Sequence, residues 1–257
     1  MTAVALTIAG SDASGGAGIQ ADIKTFQRFG VYAEAAITLV TVQNTKHLAR
    51  IENLPAELVI QQIEAVVSDI PPAAAKTGAL GSADVVRAVA AVAASFEFPL
   101  IVDPVMMSKQ GSRLLSPEAE DVLRKELIPR AKLITPNVPE AEALTGAYIQ
   151  NESDMIAVAR RLLDLGCEAV LLKGGHLNGP PTDILCTRAR ILKLDGRRIE
   201  TPHTHGTGCT YSAAITAGLA LGKSLEEAVV SAKEFIQRAI ETAPALGRGH
   251  GPLNHFA

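Results

Sequence analysis

Hydrophobic and polar positions follow two alternating patterns along the chain. Short, continuous runs of apolar and branched residues, such as residues 3–9 and 100–105, are typical of strands buried on both faces of a parallel sheet. Between these runs, apolar residues recur every three or four positions, which is the spacing of one helix face. The alternation of the two patterns predicts an α/β fold with a largely parallel central sheet.

The same patterns continue over the whole chain. Further strands are predicted at residues 36–42, 73–80, 132–136 and 169–172. Helices are predicted at residues 19–29, from 55 onward, at 83–96, from 116 onward, at 153–165, at 211–221 and after 224. We expect residues 43–54 to form a small excursion and residues 183–195 to form a hairpin on the sheet edge. No linker divides the chain, so one domain over residues 1–257 is expected.

Polar residues and glycines stand where the predicted strands end or the next helices begin. They are Gly10, Gln43, Asp103, Asn137 and Lys173, together with the loop at residues 206–209. In open α/β sheets, ligands bind at the edge formed by the carboxyl ends of the strands. Loops are polar in any protein, so a chance collection is the alternative. The collection favours a small-molecule site at this edge.

The loop His205-Gly206-Thr207-Gly208-Cys209 is the motif with the most chemical content. It leads into a helix of small apolar residues, and the first amides of a helix have no partner within the helix. The amides of Gly206, Thr207 and Gly208 are therefore candidates to hold a phosphate, with the helix dipole adding to the attraction. Cys209 lies within reach of the reacting group. The alternative is an ordinary glycine-rich turn into a buried helix.

Two other glycine motifs are rejected. Residues 16–21 fit GxGxxA after a strand, but the second strand ends in Gln43 and Asn44, and not in the acidic residue that a dinucleotide site needs. Residues 217–224 resemble a P-loop, but they continue a helix. Gly222 is better explained as a helix end, and Ser224 with Glu227 as the capping box of the next helix. If ATP binds, it binds without a Walker loop.

The remaining candidates suit phosphoryl transfer, in which the protein mainly positions groups and stabilises charge. Lys173 can bring a positive charge to the phosphates of a nucleotide, and its alternative is a lysine in solvent. Glu140 and Asn137 are oxygen ligands suited to Mg²⁺, although Asn-Val-Pro-Glu is also a common helix start. Asp103 is expected to orient a metal-bound water or a contact to the phosphates.

Composition narrows the partners. The 257 residues carry a net charge of −3 and no long basic block, which argues against a nucleic-acid surface. The three cysteines show no CxxC or Cys/His cluster, so neither a disulfide framework nor a zinc site is indicated. The first residues lack a basic region, and no apolar run reaches the length of a membrane span. We expect a cytoplasmic protein with a small-molecule partner.

Seven motifs together resemble a known family. They are ALTIAGSDASGGAGIQADIKTF, VTVQNT, KTGAL, DPVM with KQGSRLL, TPNVPEAEALTG, LLKGGH and HGTGCTYSAAI. They occur in the order seen in the hydroxymethylpyrimidine and phosphomethylpyrimidine kinases of thiamine biosynthesis, which are ribokinase-like. The resemblance covers nearly the whole chain. It implies a three-layer α/β sandwich, a homodimer, ATP with Mg²⁺ as phosphoryl donor, and phosphorylation of an aminopyrimidine alcohol and then of its monophosphate.

The resemblance also implies roles for individual residues. Substrate contacts are expected at Gly10, Asp22, Gln43 and Val105, with Gln43 on the aminopyrimidine edge and Asp22 on the hydroxymethyl or amino side. Cys209 stands where most ribokinase-like sugar kinases have an aspartate base, as it does in the pyrimidine kinases. A thiol titrates near about 8.5 and a helix N-terminus lowers that value, so a thiolate base is one hypothesis and a positioning role is the other.

Four further expectations concern the ring site, two alternative functions and the histidines. Ala79 stands where many relatives have a larger apolar residue, and the smaller side chain is expected to loosen substrate selection. A pyridoxal kinase is the alternative within the enzymes, because related sequences share the GTGC loop. A binding protein without catalysis is the alternative from another class, against which Lys173, Glu140 and the intact loop argue. The histidines are expected to be loop or tail residues, namely His203, His205, His250 and His255.

Overall fold

A nine-stranded sheet forms the centre of the fold in the computed structural model, which describes residues 2–109 and 111–257. The strands are β1 Val4–Asp12, β2 Tyr32–Gln43, β3 Leu48–Asn53, β4 Ala74–Thr77, β5 Leu100–Val102, β6 Leu133–Ile134, β7 Ala169–Leu172, β8 Asp183–Thr187 and β9 Ile191–Leu194. Their order is β3-β2-β1-β4-β5-β6-β7-β8-β9. Strands β2, β1, β4, β5, β6 and β7 are parallel to one another. Strands β3, β8 and β9 each run antiparallel to the strands beside them. The predicted largely parallel sheet is confirmed.

Eight α-helices lie in the described part of the chain, and the last two follow the final strand. They are α1 Gly18–Arg28, α2 Ala56–Asp69, α3 Ala83–Ala93, α4 Pro117–Val122, α5 Val138–Thr145, α6 Glu152–Leu163, α7 Thr207–Ala220 and α8 Leu225–Glu241. A π turn and a 3₁₀ turn extend α4 to Arg130. Several helix starts are set by local side chains: Ser116, Ser224 and Asn151 each accept a hydrogen bond from an amide of the first turn.

Apolar side chains cover both faces of the sheet. On β1, Leu6 and Ile8 point into the core shared with α2 to α6, whereas Ala5 points into the core shared with α1 and α7. A third cluster lies between the sheet and helices α7 and α8, with Tyr211 and Phe235 among its buried members. Successive strand residues point to opposite faces, so a continuous apolar run is what a sheet covered on both sides requires. The predicted three-layer sandwich is confirmed.

Several element boundaries differ from those predicted. The excursion at residues 43–54 contains β3, which pairs antiparallel with β2 and extends the sheet. Helix α7 begins at Thr207 and so includes most of the glycine loop that was expected to precede it. The hairpin predicted at residues 183–195 is present, with β9 on the sheet edge. The capping box of Ser224 and Glu227 is also present, which is consistent with rejecting the P-loop.

In the described part of the chain, no helix combines the length and the apolarity that crossing a bilayer requires. Cys167, Cys186 and Cys209 are all free thiols.

Candidate active site

A cavity of about 940 Å³ opens along the carboxyl edge of the parallel strands. It is lined by most of the residues singled out from the sequence, which are Gly10, Gln43, Ala79, Asp103, Val105, Asn137, Glu140, Lys173, Gly206, Thr207, Gly208 and Cys209. Parallel strands end at the same edge, and the sheet order brings together segments that are far apart in the sequence. The structure therefore brings these candidates together around one space, with Asp22 as the exception.

The glycine loop forms the start of α7 on the cavity wall. Gly206 has a φ of +81°, and a Cβ at this position would collide with the carbonyl oxygen of Gly16. Gly206, at the N-cap position, has no side chain that could cap the helix. The first-turn amides of Gly208 and Cys209, which line the cavity, are therefore available to a ligand. An uncapped helix start that faces a cavity is suited to binding a phosphate.

Asp103 and Lys173 join the ends of β5 and β7 across the cavity. Lys173 Nζ donates to Asp103 Oδ1 at 3.2 Å, and Thr135 and Ser212 also donate to this carboxylate. The Lys173 side chain is only 13% exposed, so it is not a lysine in solvent. Burial opposes its charge, but Asp103 and Glu140 outweigh burial and raise the pKa of Lys173. The ammonium group stays charged next to the helix start.

Glu140 and Asn137 form the capping box of α5. The Asn137 side chain accepts from the Glu140 amide at 3.0 Å, and Glu140 Oε2 accepts from the Asn137 amide at 2.8 Å. The predicted alternative, a helix start, is therefore what the two residues do in the fold. Burial and repulsion by Asp103 raise the pKa of Glu140 to about 7, although Lys173 opposes the shift. A cation in the cavity would relieve the repulsion between these two carboxylates.

No group of three or more His, Cys, Asp or Glu side chains that could hold a metal ion occurs within residues 2–109 and 111–257. Mg²⁺ commonly uses one or two carboxylates, several waters and the phosphates of a substrate. Asp103 and Glu140 both line the cavity and their charges repel each other. This pair fits Mg²⁺ that arrives with a polyphosphate, and it does not form a metal cage by itself.

Cys209 lies in the first turn of α7 and is partly exposed. Burial raises the pKa of its thiol to about 12, against a smaller opposing effect of Lys76. The expected lowering of this pKa at the helix N-terminus is therefore wrong, because loss of hydration outweighs the favourable charges. The thiol is protonated at neutral pH in this structure. This state favours the positioning role over the thiolate base.

Gln43, Val105 and Ala79 line the cavity near the end of β1. Gly10 is packed so closely that a Cβ there would lie 2.6 Å from Leu39 Cδ1 and 3.7 Å from the Ala79 methyl group. The side-chain amide of Gln43 makes no hydrogen bond within the described residues. Gln43 is partly exposed at the cavity wall, and an amide without a partner in the protein is suited to pair there with the edge of a heterocycle.

Asp22 is not among the residues that line the cavity, and its expected contact with the substrate stays a prediction. Its side chain is fully buried, and Oδ2 accepts from Thr7 Oγ1 at 2.6 Å and from Lys76 Nζ at 2.8 Å. Asp22 shares a helix face with Ile19 and Phe26, which pack into the core. The spacing of Ile19, Asp22 and Phe26 on one helix face is the signal in the sequence that predicts burial of Asp22.

The sequence reasoning missed two groups of residues. His205 and His255 lie in a loop and in the C-terminal tail as expected, but both are buried and bonded: His205 Nε2 bonds Asp12 Oδ2 at 2.8 Å, and His255 Nε2 bonds Thr210 at 3.1 Å. The second group is apolar: Pro181, Ile199, Ile236 and Ile240 also line the cavity. No motif marks these four positions, because they come from separate segments.

The sequence as a whole matches proteins of one family. A family model described as phosphomethylpyrimidine kinase matches residues 12–254. The hydroxymethylpyrimidine/phosphomethylpyrimidine kinase of Bacillus subtilis is 47% identical over 256 residues, which cover 98% of this chain and 94% of that protein. The thiamine biosynthesis bifunctional protein ThiED of Geobacter sulfurreducens is 48% identical over 253 residues. The match covers 98% of this chain but only 52% of that longer protein.

Solved structures have the same fold. A phosphomethylpyrimidine kinase from Clostridium difficile superposes with a TM-score of 0.84 at 46% identity and covers 93% of this chain and 100% of that chain. A pyridoxal kinase from Staphylococcus aureus in complex with AMP-PCP and pyridoxal superposes with a TM-score of 0.91 at 34% identity, over 100% of this chain and 95% of that chain.

The fold and the cavity define a kinase of the ribokinase-like class. Within that class, the chain belongs to the phosphomethylpyrimidine kinase family. The resemblance inferred from the seven motifs is confirmed.

Proposed function

We propose that the protein transfers the γ-phosphoryl group of ATP to 4-amino-5-hydroxymethyl-2-methylpyrimidine and then to its monophosphate, giving the diphosphate used in thiamine biosynthesis. One observation carries this proposal. The uncapped start of α7 and the Lys173–Asp103 pair meet in the same cavity as the unpartnered amide of Gln43. The cavity thus combines an anion site, a fixed positive charge and a recognition group for a heterocycle.

In this proposal the acceptor ring lies at the end of the cavity near Gly10, Gln43 and Val105. Gln43 pairs with the aminopyrimidine edge, and Ala79 leaves space beside the ring. The acceptor oxygen then faces the first turn of α7. It attacks the γ-phosphorus while the bond from this phosphorus to the β–γ bridging oxygen breaks. ADP leaves with that oxygen, and the proton of the acceptor passes to water. The amides of Gly208 and Cys209 stabilise the charge on the transferred group, whereas the Thr207 amide donates to the Thr204 carbonyl at 3.3 Å. Such a contribution is typically worth about 2.7 to 4 kcal/mol.

ATP occupies the rest of the cavity in this proposal. Its phosphates lie beside Lys173, and its base packs against the apolar lining residues Ile199, Ile236 and Ile240. The S. aureus relative described above was solved with the ATP analogue AMP-PCP, which supports this donor. Mg²⁺ bound with the nucleotide neutralises phosphate charge, and Glu140 and Asp103 would hold it through water. Asn137 keeps its capping role and contributes mainly by fixing Glu140.

A pyridoxal kinase is the second candidate. It is supported by the S. aureus and B. subtilis pyridoxal kinases, which share the fold at 34% and 37% identity. The identity is higher for the pyrimidine kinases, at 46% to 48% for the relatives described above. The small Ala79 next to the ring site leaves room for a larger ring, so pyridoxal is the side activity to test.

The test is a comparison of acceptors. Purified protein is incubated with Mg-ATP and, separately, with hydroxymethylpyrimidine, its monophosphate, pyridoxal or no acceptor, and ADP release and product mass are followed. Formation of the diphosphate from the monophosphate supports the proposal. Turnover of pyridoxal alone supports the second candidate, and no turnover of any acceptor contradicts both. The Gly208→Val variant, prepared in parallel, controls for a contaminating kinase.

The homodimer and the cytoplasmic location stay predictions from the resemblance and the composition. The oligomeric state is measured by light scattering of the purified chain.

A further inference from the structure

Two glycine loops meet at the cavity wall. The loop at residues 13–18 joins β1 to α1, and it packs against the segment that leads into α7. A Cβ at Gly206 would collide with the carbonyl oxygen of Gly16, and a Cβ at Gly16 would lie 2.6 Å from His205 Cδ2. The two backbones are therefore in direct contact. Any shift of one loop must move the other.

Asp12, at the end of β1, holds the first of these loops. Its Oδ1 accepts from the amide and the hydroxyl of Ser14 at 2.8 and 2.7 Å. Its Oδ2 accepts from the amides of Gly16 and Ala17 at 3.2 and 2.9 Å. Burial opposes the charge, but the bond to His205 and those to Ser14 lower the pKa of Asp12 to about 2. The carboxylate is thus a fixed, charged acceptor for the whole loop.

His205 connects this carboxylate to the helix start. Its Nε2 lies 2.8 Å from Asp12 Oδ2, and its backbone amide donates to the Gly251 carbonyl at 3.1 Å. An ionised carboxylate only accepts hydrogen bonds, so Nε2 carries a proton. Both side chains are at most 5% exposed. Since Gly206 follows directly, the ring fixes the residue at which α7 begins.

The far end of the same loop reaches Cys209. The backbone amide of Gly18 contacts the Cys209 thiol and favours its charged form. Gly18 has a φ of +55° and closely approaches Gly10, so its position depends on the path of the loop before it. A continuous set of contacts therefore runs from His205 through Asp12 and the loop to Gly18 and Cys209.

We propose that Asp12 and His205 are a pair of positioning residues for phosphoryl transfer, which hold the loop at residues 13–18 against the start of α7. The inference rests on the proposed function in naming the reaction. In this role the pair keeps the amides of α7 and the Cys209 thiol in one arrangement. Both residues line the cavity, but their side chains are at most 5% exposed and are bonded to each other and to the loop, so we assign them to positioning and not to a contact with the pyrimidine.

The test compares two buried histidines that each bond near the start of α7. His205→Phe removes the bond to Asp12, and His205→Gln keeps a donor at nearly the same place. His255→Gln is the matched control, because His255 bonds Thr210 of α7 but does not contact residues 13–18 in any of its hydrogen bonds. For each variant, kcat and KM for the pyrimidine, the melting temperature and the rate of Cys209 alkylation by iodoacetamide are measured.

We expect His205→Phe to lower kcat by about 100-fold, the typical effect of displacing a reacting group by about 1 Å, with KM changed by less than about threefold. The kcat of His205→Gln should be at least about tenfold higher than that of His205→Phe, since glutamine restores a side-chain donor. Alkylation of Cys209 should accelerate in His205→Phe because the loop no longer covers the thiol. His255→Gln should lower only the melting temperature. Cys167 and Cys186 are buried, and the Cys209→Ser variant reports their background reaction.

The inference is overturned if His205→Phe loses stability as His255→Gln does but keeps kcat and the alkylation rate of the wild type. If the wild type phosphorylates no acceptor, the proposed function has failed. The alkylation rates still decide whether the pair holds the loop on Cys209, so the two failures are distinguishable.

Discussion

Asp22 and Lys76 form an ion pair with an Oδ2–Nζ distance of 2.8 Å, and both side chains are completely buried. The pair lies in the interior beside Cys209, whose thiol is influenced by both charges. Asp22 Oδ1 has no hydrogen-bond partner among the described residues. The carboxylate therefore stabilises a buried lysine, and its loss would leave the Lys76 charge uncompensated.

Asp22→Ala is expected to destabilise the protein by about 3 to 5 kcal/mol, the usual effect of removing one member of a buried pair. The double variant Asp22→Leu with Lys76→Met should recover most of this loss because no buried charge remains. Urea unfolding measures both changes. A normal unfolding free energy combined with a raised KM for the pyrimidine would instead place Asp22 in contact with the substrate.

Gln43→Ala is expected to raise KM for the pyrimidine by about 10-fold or more, with little change in kcat. The reason is the loss of the hydrogen bonds of its amide, which are typically worth about 0.5 to 1.5 kcal/mol each. Steady-state kinetics with saturating Mg-ATP measure this effect. Gln61→Ala, on the exposed surface of α2, is the matched control and should leave KM unchanged.

Gly208→Val is expected to lower kcat by about 100-fold or more by blocking the phosphate site. A Cβ at Gly208 would lie 3.3 Å from Lys173 Nζ and 3.6 Å from Asp103 Oδ2. Since Lys173 Nζ would have to shift by only a few tenths of an ångström, the fold should tolerate the change. Gly208→Ala should give a smaller loss. Normal turnover in the valine variant at an unchanged melting temperature would reject the assigned phosphate site.

Cys209→Ser is expected to change kcat less than about tenfold and to keep the pH profile of the wild type. Burial raises the pKa of the thiol to about 12, so little thiolate exists at neutral pH. A thiolate base would make the rate rise with pH throughout the alkaline range, and serine would abolish that rise. Observing both of these effects would restore the thiolate mechanism.

Glu34→Gln is expected to stabilise the protein at alkaline pH. Both carboxylate oxygens of Glu34 are buried without a hydrogen bond, and burial together with Asp69 raises the pKa to about 7. The pKa of Glu34 is higher in the folded protein, about 7, than its ordinary value of 4.5 in the unfolded chain. The protonated carboxyl therefore favours folding fully below pH 4.5, and this contribution to stability is lost as the pH rises through about 7.

The gain from Glu34→Gln should therefore be on the order of 2 kcal/mol at pH 8 and near zero at pH 4. Thermal unfolding at the two pH values measures the difference. Glu64→Gln, at an exposed position of α2, is the control. A gain of the same size at both pH values would mean that the charge of Glu34 has no part in it.

The histidines show where sequence reasoning reached its limit. Spacing along the chain gives no ligand pattern for His205. The sequence predicts its position in a loop but not its burial or its bond to Asp12. Its partner Asp12 is 193 positions away. Because the pair forms only when the carboxyl edge of the sheet is assembled, no window of sequence contains both residues. The raised pKa of Cys209 is also a consequence of tertiary structure, since the burial that causes it depends on every element packed around the thiol.

The sequence by itself determined the elements and the edge at which the site lies. The apolar run of β1 specifies burial on both faces, and the capping boxes of Asn137 with Glu140 and of Ser224 with Glu227 join groups three positions apart. Such patterns are local, so they can be recognised before the chain is folded. Only the tertiary structure decided which charges are buried. The pairing of Asp22 with Lys76, 54 positions away, depends on the packing of α1 against the sheet, and that packing buries both side chains completely.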